Sequence, residues 1–253
     1  MTAKLVALFK TVFQAVIGDA AGKDSARFKL LAGLAKRQRF RLFNKDVIWH
    51  RDEEFLGLMR QFDPGYSKVR ARHYTLYELA KSVADRPGDT AECGVFRGAS
   101  SFLVLSATRD TGKTHFLFDS FEGLSEPAEE DQPVNERMRL WQTGDFSAAE
   151  GVVRDNLAGF SNVRFLAGWI PERFPEVADR RFSLVHIDVD LYQPTLDSVS
   201  FFYERLNPGG ILVCDDYGFG TCPGAYRAVN EVLKHKPESI AHLPTGQGIL
   251  VKR

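Results

Sequence analysis

The sequence predicts an α/β protein: a mostly parallel seven-stranded sheet with helices on both faces and an N-terminal helical extension. Three observations carry that prediction. Short apolar runs rich in Val, Ile, Leu and Phe alternate with helical patterns, as the buried strands of a parallel sheet do. A short strand over 89–93 passes into a glycine turn from Gly94 to Gly98 and then into a helix. Two later runs, Ser183-Leu-Val-His-Ile-Asp188 and Gly210-Ile-Leu-Val-Cys-Asp215, end in carboxylates, which marks strand C-termini that open onto a site.

The 253 residues suit one large α/β domain with a helical extension. At 44% hydrophobic and 26% charged the chain is an ordinary globular one, and disorder is not favoured. Lys plus Arg and Asp plus Glu number 33 each, so net charge makes no case for nucleic acid as partner. Three cysteines, Cys93, Cys214 and Cys222, are too few for a disulfide framework, and a reducing cytoplasm is expected.

In chain order, Met1 to Ala20 is apolar, but Lys10 interrupts it and no convincing cleavage site follows Gly18. An amphipathic helix is expected there rather than a signal peptide, and no stretch is long enough to span a bilayer. Residues 25–43 have helical, basic spacing, with Lys36 to Arg41 read as a solvated face. A helix is expected over 52–61, a turn at Asp63-Pro64-Gly65, and a helix over 74–84 ended by Pro87-Gly88. Residues 1–70 are thus a helical cap and 71–253 the α/β domain.

Within that domain, Glu92-x-Gly94-x-x-x-Gly98 runs into a helix over 99–108, where the turn lets a ligand approach the backbone. About twenty residues on, His115-Phe-Leu-Phe-Asp119 ends where nucleotide-binding α/β folds place a ribose-binding acid. The alternative for Asp119 is a cap on the turn that follows. Residues 124–145 are acidic, contain Pro127 and Pro133 and lack periodicity, as a lid or binding loop does. A helix over 146–158 and a strand over 163–167 lead to Gly168-Trp169, whose indole either stacks on a base or joins the core. A helix starting at Pro194 is stopped by Asn207-Pro-Gly-Gly210, another spans 225–234, and 239–243 with 248–252 form a closing antiparallel pair.

Asp188, Asp190, Asp215 and Asp216 then converge at two strand ends. Strand alternation puts Asp188 and Asp190 on one face, roughly 7 Å apart at about 3.3 Å per residue. Clustered carboxylates repel one another unless a cation joins them, and oxygen ligands favour a hard one such as Mg²⁺. The alternative is that each acid caps a helix or turn.

The segments Ala91-Glu-Cys-Gly-Val-Phe-Arg-Gly-Ala-Ser-Ser101, Phe118-Asp-Ser-Phe-Glu-Gly123, His186-Ile-Asp-Val-Asp-Leu-Tyr192 and Gly209-Gly-Ile-Leu-Val-Cys-Asp-Asp-Tyr-Gly218 stand in a fixed order over residues 89–230. On these the chain resembles the class I S-adenosylmethionine-dependent methyltransferases, with their Rossmann-like fold, and more narrowly the macrocin O-methyltransferase family of antibiotic biosynthesis. The resemblance implies that S-adenosylmethionine lies against Glu92, Gly94 and Ser100 at its methionine end, Asp119 at its ribose, and Gly168 and Trp169 at its adenine. It implies Mg²⁺ on Asp188, Asp215 and Asp216, with Asp190 as base and His186 as a rival base or a partner of the acids. It also implies a glycosylated small-molecule substrate, and a homodimer that the N-terminal helices help to build. Rival readings are a catechol or phenol O-methyltransferase, a metal-dependent hydrolase, and a cofactor binder without catalysis.

Overall fold

The computed structural model describes residues 3–37, 48–63, 70–133, 135, 138 and 140–253, and within them the apolar runs become strands. These are β1 (Asp89–Cys93), β2 (His115–Asp119), β3 (Val163–Ala167), β4 (Phe182–Ile187), β5 (Leu206–Cys214), β6 (Ala241–His242) and β7 (Gly248–Val251). Among the described residues they form one seven-stranded sheet in the order β3-β2-β1-β4-β5-β7-β6. The first five pair in parallel, while β7 runs antiparallel to both β5 and β6. The predicted fold class is therefore the observed one. The chain steps outward through β1, β2 and β3, then returns to the other side of β1 for β4. The strand order reverses there, and that crevice is where such sheets bind ligands.

The helices are α1 (Ala3–Ile17), α2 (Ala20–Arg37), α3 (Glu53–Phe62), α4 (Arg70–Ser82), α5 (Ala99–Ala107), α6 (Glu150–Asn156), α7 (Tyr192–Tyr203) and α8 (Pro223–Leu233). On one face of the sheet Phe118, Val185 and Leu212 meet Val199 and Phe202 of α7 and Val229 of α8. On the other, Leu184 and Val213 meet Leu76 and Ala80 of α4 and Val104 of α5, and Leu117 meets Phe102 and Leu105 of α5 with Val153 of α6. Each fully buried Leu or Phe here is worth roughly 1.5–3 kcal/mol relative to exposure. Central strands are buried on both sides because both faces are covered, and the polar side chains they bury, Thr90, Glu92, His115, Ser183 and His186, are hydrogen-bonded.

The chain divides into two units, Met1–Leu56 and Gly57–Arg253, with the sheet wholly in the second. In the first, α1 and α2 pack on each other across a short turn in which Asp19 Oδ1 accepts the Gly22 N–H at 2.8 Å.

Four local expectations are corrected. Asn207 to Gly210 does not break the chain but lies inside β5, because Gly209 N–H donates to Lys252 O (2.7 Å) and Lys252 N–H to Gly210 O (2.9 Å). The helix expected from 146 starts at Glu150, since Phe146 sits at φ 61, outside the helical region. The helix expected from Pro194 begins two residues earlier, with the proline in its first turn, where its missing N–H costs nothing. The basic helix starts at Ala20 rather than at 25, and its expected last six residues lie outside the described ones, as do Pro64 and Gly65 of the expected turn.

Under the α5 face His115 is buried, with Thr90 Oγ1 at Nδ1 (2.8 Å) and Ser101 Oγ at Nε2 (3.2 Å). Burial, reinforced by His186, pushes its pKa down to about 3. A histidine depressed on folding contributes stability that is present above its unfolded pKa near 6.5 and is lost as pH falls toward 3. His115→Gln removes this titration. Between pH 6.5 and about 4.5, wild type loses roughly 1 kcal/mol per pH unit relative to the variant in urea unfolding. A stability difference that does not change with pH contradicts the assignment.

Candidate active site

The C-terminal ends of β1, β2, β4 and β5 surround a cavity of about 590 Å³. The turn after β1 forms its floor. Gly94 takes φ +82°, and its N–H bonds Phe118 O at 2.9 Å. A Cβ at Gly94 would run into the Asp188 carbonyl, so this glycine admits the neighbouring strand end as well as bordering the cavity. Beyond it, the Val95 and Phe96 N–H groups donate to Asp119 Oδ2 (2.6 and 3.2 Å), and Phe121 N–H donates to Oδ1 (2.7 Å). Three backbone amides fix the Asp119 carboxylate while each oxygen keeps acceptor capacity toward the cavity. Gly98, at φ 86, starts α5, whose Ser100 borders the cavity.

Of the residues singled out by sequence, Glu92, Gly94, Ser100, Asp119, Trp169, Asp188, Asp190, Asp215 and Asp216 line this cavity. Gly168 stands behind Trp169, its N–H bonded to Asp119 O at 3.0 Å. His186 stands beneath the acids, 1% exposed. Its Nδ1 lies 2.9 Å from Glu92 Oε1 and its Nε2 lies 3.2 Å from Asp215 Oδ1, the second pair without hydrogen-bond alignment. Glu92 Oε2 accepts from Ser101 Oγ. Burial raises the Glu92 pKa against the pull of His186. Both Glu92 oxygens are thus engaged inside the fold, and Ser101, Glu92, His186 and Asp215 form one buried polar row leading to the cavity.

The acids meet differently from the expected alternation along a strand. β4 ends at Ile187, so Asp188 and Asp190 lie beyond it, and Asp190 adopts φ 57. The left-handed backbone of Asp190 is held by its N–H to Asp216 Oδ2 (3.2 Å), and its Oδ1 accepts from Cys222 Sγ (3.5 Å). Burial, then repulsion from Asp188, raises the Asp190 pKa to about 7. Asp216 is raised by burial and by the charges of Asp190 and Asp188.

Arg72, from α4, reaches into this cluster. Its guanidinium pairs with Asp215 and lies 3.3 Å from Asp216 Oδ1 and 3.7 Å from Asp188 Oδ1, over the Phe219 ring at 4.8 Å. Burial works against its charge, but Asp188 and Asp216 outweigh that and hold its pKa above the ordinary value. Gln247, fully buried, donates from Nε2 to Asp215 Oδ1 (2.7 Å) and to Arg72 O (3.3 Å). One guanidinium against four carboxylates leaves the cluster anionic, the setting in which a divalent cation is favoured. His186, Asp188 and Asp215 bring ligand atoms within 4.8 Å of one another, and Asp190, Asp216 and Cys222 do so beside them. Of the three expected metal ligands, Asp188 and Asp215 fall in the first group and Asp216 in the second, and the carboxylate oxygens of both groups suit a hard cation.

Arg72 and Gln247 escaped the sequence reading. Arg72 sits in a basic stretch that looks like solvated helix surface, and a lone Gln near the C-terminus carries no signal. Asp131 escaped as well. It lies in the irregular 124–145 segment, buried, and accepts Ala128 N–H (2.9 Å) and Tyr192 N–H (2.7 Å), which fastens that segment to the start of α7. Leu124, Ser125 and Trp141 of the segment line the cavity, as expected of a binding loop.

The family model described as macrocin-O-methyltransferase (TylF) matches residues 65–239. A curated relative from Streptomyces olivaceus, 8-demethyl-8-(2,3-dimethoxy-alpha-L-rhamnosyl)-tetracenomycin-C 4'-O-methyltransferase, is 36% identical over 147 residues, 55% of this chain and 56% of that protein. Mycinamicin III 3''-O-methyltransferase of Micromonospora griseorubida is 32% identical over 146 residues, 54% of this chain and 58% of that protein. The chain therefore spans a little over half the length of these curated relatives. Among solved structures, the O-methyltransferase NovP is similar at 26% identity and TM-score 0.61, over 72% of this chain and 79% of that one. Calicheamicin methyltransferase CalS11, at 18% identity and TM-score 0.61 over 80% of this chain and 92% of that one, shares the fold.

Proposed function

The chain belongs to the macrocin-O-methyltransferase (TylF) family, and from that premise we propose that it moves the methyl group of S-adenosylmethionine to a hydroxyl of a sugar, on a natural product or a saccharide precursor, in a Mg²⁺-dependent reaction. The observation that carries the reading is one cavity holding both an amide-fixed Asp119 at the end of β2 and four acids at the ends of β4 and β5. The two parts suit a nucleoside-bearing cofactor and a hydroxyl acceptor side by side.

Each residue then has a task. The Gly94 turn and Asp119 orient the cofactor, with the Asp119 oxygens accepting from the ribose hydroxyls. Trp169 offers its ring to the adenine, and Gly168 sets the position of that ring. Ser100 and the start of α5 face the methionine end. Glu92, buried behind them, holds Ser101 and His186 in place. Asp188, Asp215 and Asp216 would hold Mg²⁺, with Arg72 giving up its place among them. Bound there, such a cation supplies a lowered pKa and a fixed orientation for the acceptor hydroxyl. Asp190 takes the hydroxyl proton on a carboxylate oxygen, and a pKa near 7 suits that task near neutrality. His186, enclosed between Glu92 and Asp215, orients the acids rather than meeting the acceptor. Transfer itself is an in-line displacement in which alignment by the pocket supplies much of the rate.

The names of the relatives, a rhamnosyl-tetracenomycin and a mycinamicin methyltransferase, favour a sugar acceptor. An aromatic wall of Phe96, Phe146 and Trp141 beside the cavity supports a catechol or phenol acceptor as the second reading. Family membership sets the hydrolase aside. With S-adenosylmethionine and Mg²⁺, mass spectrometry of products from a panel of deoxysugar glycosides and simple catechols separates the two. Methylated glycosides, lost on chelation, are expected. Methylation of catechols alone overturns the sugar assignment, and activity untouched by chelation overturns the metal.

A further inference from the structure

The zero net charge of the chain conceals a division. Residues 1–45 carry ten Lys and Arg against two Asp, and residues 46–253 carry twenty-three Lys and Arg against thirty-one Asp and Glu. The α1–α2 hairpin itself, residues 3–37, carries seven of those Lys and Arg and both Asp, so it is a basic hairpin in an otherwise acidic chain. Its α1 is also apolar where it is exposed. Leu5, Leu8, Phe9, Val12, Phe13 and Val16 recur at i, i+3, i+4, i+7, i+8 and i+11, one continuous stripe of helix. Phe9 is 75% exposed, Phe13 61% and Val16 66%, whereas soluble proteins hide most such faces. On α2, Leu31 and Leu34 are exposed as well, one and two turns on from Arg27, whose Nε donates to Ala15 O of α1 (3.2 Å). Lys10, Lys29, Lys36 and Arg37 are exposed around them.

We propose that the α1–α2 hairpin docks on an anionic lipid bilayer, with the apolar stripe of α1 in the headgroup–acyl boundary and the flanking Lys and Arg on the lipid headgroups. The proposal is independent of the methyltransfer reading. A 15-residue helix carrying Lys10 and Gln14 is too short and too polar to cross a bilayer, and among the described residues no helix is long and apolar enough to do so. A mostly apolar helix this short, interrupted by Lys10 and Gln14 and followed by the basic α2, lies in the interface plane instead. Arg and Lys stems extend over apolar surface while their heads reach lipid phosphates. Charge separates this occupant from the others. A second copy, the occupant that the family resemblance implies, would bring like charges together, whereas each Lys or Arg near an anionic membrane is worth about 1 kcal/mol. A nucleic acid would match the charge but leave the Phe9 and Phe13 stripe in water.

The test is co-sedimentation of the full chain with vesicles of phosphatidylcholine alone, or with about a third phosphatidylglycerol, at roughly 0.1 M salt. Partitioning is expected to be at least about tenfold greater on the anionic vesicles and to fall as salt rises. The exposed-site variant Phe9→Asp/Phe13→Asp is expected to lose about tenfold or more of the binding. Lys10→Glu/Lys29→Glu, which leaves the apolar stripe intact, tests the charge separately and is expected to lose a similar factor. No sedimentation with anionic vesicles overturns the proposal, as does equal binding to neutral ones. A wild-type dimer in light scattering that Phe9→Asp/Phe13→Asp dissociates, with no vesicle binding by either protein, overturns it by assigning the stripe to a second copy.

Discussion

Asp215→Asn is expected to reduce methyl transfer by about 10³-fold or more, because interactions worth several kcal/mol of charge stabilisation leave with one carboxylate. Asp215 is where the cluster is tied together. It lies 6% exposed, beside His186 Nε2, under the Gln247 amide and against the Arg72 guanidinium. An amide in its place keeps the volume, removes the charge, and turns an NH₂ donor toward Gln247 and Arg72, which themselves offer donors. Asp119, to which we assign the cofactor ribose, sits on another strand, held by its own amides, so S-adenosylmethionine affinity is expected to stay within a few-fold of wild type. Mg²⁺ titration and single-turnover rates measure the two effects apart. Full turnover by this variant with metal chelated contradicts the role given to the acids.

Asp190→Asn is expected to lower kcat by about 10²–10⁴-fold, the usual range for a general base, with KM little changed. The backbone geometry that aims Asp190 survives the change, since its N–H still reaches Asp216 and the left-handed conformation suits Asn as well as Asp. The lost quantity is proton acceptance alone. His186 cannot take over, being 1% exposed with Nδ1 at Glu92 and Nε2 turned to Asp215. A kcat that falls less than tenfold in Asp190→Asn, or a collapse confined to His186→Gln, transfers the role of base.

Much of this site could be read from residue order because it lies where strands end. Apolar runs announce β2, β4 and β5, and acids end the first or follow the other two directly in sequence. The glycine turn and Asp119 are local features of the same kind. What the sequence hid depends on distance along the chain. Arg72 meets Asp216 across 144 positions, and Gln247 meets Arg72 across 175, so no spacing could pair them. Strand alternation does not govern Asp188 and Asp190, although both reach the cavity, because β4 ends at Ile187 and Asp190, three residues on, has positive φ. Asn207 to Gly210 misled for the opposite reason. Pro and Gly usually punctuate, but here pairing with Lys252 keeps them in the sheet.

The central claim is that the cavity binds S-adenosylmethionine on the β1–β2 side and metal on the acid side, as separable events. Calorimetric titration of S-adenosylmethionine into the purified full chain, with and without Mg²⁺, tests it most directly. Binding in the micromolar range that changes little with metal is the predicted result. No binding under either condition contradicts the account, because the turn around Asp119 would then have no cofactor to orient.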